Sequence, residues 1–91
     1  MLIRSQGKQI LINLNTISRL SITETYQICA WANGGQYFMG KYSTEAKALK
    51  VLDMIEERTN EPIYINEIGN GEYAKYLHSS FHMPQDDEVE L

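Results

Sequence analysis

The chain has one cysteine, two prolines, no long apolar run and no cluster of basic residues, and each shortage removes a class of protein. Cys29 alone can form neither an intramolecular disulfide nor a cysteine-based metal cage. It precedes Ala30 and Trp31 in an apolar run and reads as a small buried hydrophobe. The opening MLIRSQGKQI lacks the apolar stretch of a signal peptide, and no segment reaches membrane-spanning length. A soluble protein of the cytoplasm is expected, with no membrane partner. The eight Lys and Arg residues are scattered singly from Arg4 to Lys75. Binding to a phosphate backbone needs clustered cations that displace counterions, so a nucleic-acid partner is disfavoured.

What is present is ordinary globular material. Hydrophobic residues make up 43% and charged residues 22% of 91 positions, enough for one small core and against wholesale disorder. The net charge of -4 has a definite location. Up to residue 84, eight acids balance the eight bases, and Asp86, Asp87, Glu88 and Glu90 supply the whole excess. The expected organisation is a single α+β domain over residues 1–84, followed by an acidic tail over residues 85–91.

Residues 2–42 read as an antiparallel β-meander of about five short strands. LIRS and QILINL flank QGK, where Gly7 can supply the positive φ of a tight turn. In ISRLSIT, Leu20 and Ile22 share one face while Arg19, Ser21 and Thr23 share the other. YQICAWA and QYFMGKY flank NGG, the clearest hairpin signal, because Asn33, Gly34 and Gly35 all tolerate left-handed backbone. Both of these strands carry apolar residues on both faces, where a sheet with one wet face would alternate cleanly. A curled sheet, a covering element or a partner on the second face would account for this.

YSTEAKALKVLDMIEERTN predicts an amphipathic helix over residues 44–59 packed across the sheet. Ser43 is the expected N-cap and Glu45 suits the positive end of the helix dipole. Ala48, Leu49, Val51, Leu52 and Ile55 form the apolar stripe, with docking expected through Leu49, Leu52 and Ile55. Asn60 and Pro62 close the helix. Beyond it, IYINEI reads as a sixth strand or an extended packing segment and GNGEY as a turn. AKYLHSSFHM is open between helix and strand, and Pro84 ends it either way.

No catalytic or cofactor-binding set assembles from these residues. His78 and His82 have the i, i+4 spacing of helical metal ligands, but Ser79 stands where zinc hydrolases carry glutamate. A third ligand would have to come from Glu72 or Asp86, and two partly exposed histidines beside an apolar anchor is the simpler reading. Ser79 and Ser80 lack a glycine-flanked elbow. Gly69 and Gly71 lack the third glycine and the lysine–serine pair of a phosphate loop. No metal, cofactor or catalytic residue is therefore assigned. In FHMPQDDEVEL, Phe81 and Met83 are expected to pin an extended segment beside a strand of the meander. His82 points away, and Asp86 to Leu91 run mostly into solvent.

The opening MLIRSQGKQILINLNTIS, the central GKYSTEAKALKVLDMI and the closing FHMPQDDEVE together cover roughly half the chain. In these pieces and their order the chain resembles a group of small uncharacterised proteins from Gram-positive bacteria and their prophages. The resemblance implies a bacterial cytoplasm and a phage-associated context, and it carries no catalytic residues. The resulting expectation is a non-enzymatic protein-interaction module with an unidentified protein partner, self-associating as a homodimer or larger homo-oligomer. The alternative is an acidic inhibitor or nucleic-acid mimic that blocks a basic protein surface.

Overall fold

The computed structural model describes residues 1–59 and 80–91. The readings that rest on Asn60, Pro62, IYINEI, GNGEY, Glu72, His78 and Ser79 lie outside the described residues. The fold is α+β, with two three-stranded sheets and one α-helix among the described residues. The five expected strands are β1 (Leu2–Arg4), β2 (Leu11–Asn13), β3 (Ile17–Ile22), β4 (Gln27–Ala32) and β5 (Gly35–Lys41). Helix α1 spans Glu45–Thr59, and a sixth strand, β6, spans Ser80–His82. The meander divides at a 3-10 turn, Leu14–Thr16, into a sheet of order β2-β1-β6 and a sheet of order β3-β4-β5. The first contains a parallel pair, because β6 runs alongside β1 with Ile3 opposite Phe81.

The turns follow backbone chemistry closely. Ala32 pairs with Gly35 across Asn33 (φ 52°) and Gly34 (φ 78°), a two-residue loop whose left-handed backbone conformations match the right-handed twist of the flanking strands. In the β1–β2 turn, however, Lys8 (φ 71°), not Gly7, takes the left-handed position. Its N–H donates to the Ser5 carbonyl at 3.0 Å, and its carbonyl accepts from Arg4 Nη1 at 3.0 Å. These two bonds hold a lysine where Gly7 was expected to bend.

The two-faced hydrophobicity of β5 has a structural cause. Phe38 lies opposite Cys29 and Gly40 opposite Ile28, so Met39 is the extra residue of a β-bulge. Met39 and Gly40 are therefore both buried on the inner side, while Phe38 and Lys41 fall on the outer side. Gly40 is closely covered: a Cβ there would meet Tyr42 Oη at 3.1 Å and Met83 Cε at 3.4 Å, so a neighbour would have to shift slightly to admit it.

One core joins both sheets and the helix. It contains Ile3, Ile28, Ala30, Met39, Tyr42, Ala48, Val51, Ile55, Phe81, Met83 and Val89. Helix α1 begins one residue later than its expected cap. Thr44 Oγ1 accepts the Lys47 N–H at 3.2 Å, so Thr44 rather than Ser43 caps it. The buried line is Ala48, Val51 and Ile55, with Leu52 and Met54 half-buried beside it. Leu49, expected to dock, is 47% exposed, because the inward line lies one position away from it.

The C-terminal segment divides into two behaviours. Phe81 and Met83 are buried and His82 is exposed, as strand alternation requires. The expectation of a mostly exposed Asp86 to Leu91 holds for Asp87, Glu88, Glu90 and Leu91. It fails for Val89, which is 6% exposed in the core, and for Asp86. The Asp86 carboxylate accepts the Ser43 N–H at 2.7 Å, and Lys47 Nζ donates to the Asp86 carbonyl at 2.9 Å. Ser43 thus serves the helix start through its amide, as the partner of an acid 43 positions away.

Candidate functional site: the outer face of the second sheet

The inner side of β3-β4-β5 faces the core, and strand alternation assigns the other side residue by residue. From β3 it takes Arg19 and Ser21; from β4, Gln27, Cys29 and Trp31; from β5, Gln36, Phe38 and Lys41. Arg19, Gln36, Phe38 and Lys41 are exposed, with Phe38 at 57% the most exposed aromatic side chain among the described residues. A single exposed apolar side chain is ordinary on a protein surface; Phe38 matters because Trp31, Arg19 and Lys41 share its face.

The aromatic and cationic groups are organised. Arg19 sits opposite Trp31, with its guanidinium carbon 4.7 Å from the indole centroid. This cation–π contact contributes about 0.5–1 kcal/mol at an exposed site and holds the guanidinium flat on the face. Trp31 Nε1 donates to Ser21 Oγ at 3.4 Å, and Ser18 Oγ donates to the Trp31 carbonyl at 3.0 Å. Cys29 is fully buried between Ser21 and Phe38, in keeping with its reading as a small hydrophobe. Not one of the residues of β3, β4 and β5 is acidic, whereas Arg19 and Lys41 are basic.

At its β5 end the face runs into a cleft of about 220 Å³ lined by Gln6, Gly7, Gln27, Phe38, Met39, Gly40 and Lys41. The far wall is the β1–β2 turn, and Gln6 fixes it there. The Gln6 N–H donates to the Met39 carbonyl at 2.7 Å. Its side-chain Oε1 accepts the Lys41 N–H at 2.9 Å, and Nε2 donates to the Lys41 carbonyl at 3.2 Å and the Pro84 carbonyl at 3.1 Å. One glutamine therefore satisfies the edge of β5 beyond the bulge, as a neighbouring strand would.

A second polar cluster lies behind this wall and is structural. Tyr42 Oη donates to the Pro84 carbonyl at 2.8 Å, and Gln85 Nε2 donates to the Gln6 carbonyl at 2.9 Å. Burial, with Asp86 and Glu88 nearby, pushes the Tyr42 hydroxyl well above the ordinary tyrosine range, so it stays a neutral donor. The Ser43 N–H, aided by Lys47, holds the Asp86 carboxyl below the ordinary carboxylate range.

The residues singled out from sequence fall elsewhere. His82 is exposed on β6, and His78, Ser79, Gly69, Gly71 and Glu72 lie outside the described residues. The Ser80 carbonyl accepts from Arg58 Nη2 at 2.8 Å, tying β6 to the helix end. Among the described residues no three His, Cys, Asp or Glu side chains come together as metal ligands. No described helix is long and apolar enough to cross a membrane. Sequence reading identified the apolar second face of β4 and β5 but not its partners, Arg19 and Lys41. Their shared signal was the absence of any acid from Thr25 to Thr44. No family model, curated protein or solved structure matches the chain.

Proposed function

We propose that this protein is a non-enzymatic interaction module that works by binding another protein, in the phage-associated bacterial setting implied by its resemblance. The observation that carries the reading is Phe38: an aromatic ring 57% exposed on an ordered sheet face that also presents Trp31, Arg19 and Lys41. Aromatic and arginine side chains dominate the energetics of protein contacts. The acidic-inhibitor alternative has less to work with, since Asp86 is engaged by Ser43 and Lys47 within the chain. Immobilised protein should capture a discrete partner from a Gram-positive host lysate, and Phe38→Ser should lose it with the fold intact by circular dichroism. Identical captured sets for wild type and Phe38→Ser would count against this face.

A further inference from the structure

We infer that the site takes an extended acidic segment of a partner protein, added along the free edge of β5 with an apolar side chain seated in the cleft; this rests on the interaction-module reading above. Three observations converge on that chemistry. The first is the edge itself. In a hairpin closed by a two-residue loop, the Ala32–Gly35 and Ala30–Tyr37 pairs exchange the ladder hydrogen bonds. The N–H and C=O groups of Gln36 and Phe38 therefore point away from β4, to a side where no described residue pairs with them and an added strand can. The edge is free only up to Met39, whose carbonyl is already taken by Gln6.

The second is the cleft, which opens where the free edge stops. Phe38 gives it an apolar wall, and Gln27 and Lys41 give it a polar mouth. The third is charge. Lys41 stands on one side of the cleft, and Lys8 follows Gly7 in the turn on the other. Both are exposed, and no carboxylate lies in a salt bridge with either one among the described residues. With Arg19 across the sheet and no acid in its strands, Lys8, Lys41 and Arg19 give an anionic segment complementary partners on this face.

A second copy fits this surface less well. Two such faces meeting about a two-fold would oppose cation to cation. A copy offering the acidic side of its helix, with Asp53, Glu56 and Glu57, would make a head-to-tail contact, which forms a closed assembly only when its rotation closes. Single-stranded nucleic acid would need successive free rings for stacking, and Arg19 already covers Trp31.

Trp31, the single tryptophan, reports on the face directly. The test titrates the full chain with a ten-residue peptide alternating glutamate and valine, following Trp31 fluorescence and backbone amide shifts. Expected are saturable binding, amide shifts centred on Gln36 to Lys41, and affinity that falls with salt. Lys41→Glu should weaken binding roughly five- to tenfold, as reversal of an exposed charge does, while the circular dichroism spectrum stays unchanged. The inference is overturned by no binding at millimolar peptide, or by equal binding of an alternating lysine–valine peptide. It is also overturned by tighter binding of oligothymidylate, or by sedimentation showing that the chain fills the face with its own copies. Any of these results leaves the capture experiment with Phe38→Ser to judge the wider reading separately.

Discussion

Deleting residues 86–91 should destabilise the domain substantially, although most of these side chains face water. Val89 is 6% exposed and belongs to the common core. Full burial of a valine-sized side chain contributes about 1.5–3 kcal/mol. For a domain of this length each 1 kcal/mol moves the melting midpoint by about 4–8 °C. The expected fall is therefore roughly 6–24 °C, centred near 13 °C. Loss of the Asp86 bonds to Ser43 and Lys47 adds to it, since the first amide before the helix cap then loses its acceptor. Tyr42 keeps its bond to the Pro84 carbonyl, so the domain should still fold. Thermal melts followed by far-ultraviolet circular dichroism and by Trp31 fluorescence measure the effect. Removing Glu90 and Leu91 alone, both exposed, is the control and should change nothing. If the six-residue deletion melts within about 2 °C of the full chain, Val89 is not a core residue and the segment is dispensable.

Three further outcomes test other parts of the structure. The carboxyl of Asp86 is held below its ordinary value of 3.8, so its stabilisation is present above that pH and is lost as pH falls through the lower folded-state value. The stability gap between wild type and Asp86→Asn in urea titrations should therefore be full at neutral pH and close below about pH 3.8; a gap independent of pH would mean the carboxylate charge is not what Ser43 and Lys47 recognise. Ile55→Ala should cost about 2–5 kcal/mol while Leu49→Ala stays within about 0.5 kcal/mol, and equal losses in denaturant midpoint would place the wrong face of the helix inward. Gly40→Ala should lower the melting midpoint and broaden the Tyr42 and Met83 resonances, because the added methyl meets Tyr42 at 3.1 Å; an unchanged midpoint would show that the ring moves aside freely.

Much of the fold was legible where it depends on near neighbours in the chain. Short apolar and β-branched runs between turn signals located the five strands, and Asn33 with Gly34 located the tightest turn. The choice between Gly7 and Lys8 was not legible, because residue type favoured the glycine while the Ser5 and Arg4 bonds that hold Lys8 depend on the exact geometry of the turn. Helical spacing put Leu49 and Val51 in the same stripe; the position of the two sheets then selected Val51. The acids of the C-terminal segment read as solvated because no base lies near them in sequence, whereas Lys47 lies near in space. The candidate site was half visible. Apolar residues on both faces of β4 and β5 signalled a second surface, but the bulge at Met39 that aims Phe38 and Lys41 outward is a register effect.

The parallel pairing of β6 with β1 has a consequence for the order in which the molecule can be built. Ile3 acquires its neighbour Phe81, and Gln6 its acceptor at Pro84, only when segments 78 positions apart meet. On a ribosome, β3, β4 and β5 can zip up locally as soon as they emerge, since each pairs with the next through a short turn. The first strand made must wait for nearly the last. Until then β1 presents one unpaired edge and Ile3 lacks Phe81 beside it, and the far wall of the cleft lacks its tie to Pro84. The edge of β5 is thus organised early, while the cleft that terminates it is completed by the final stretch of chain.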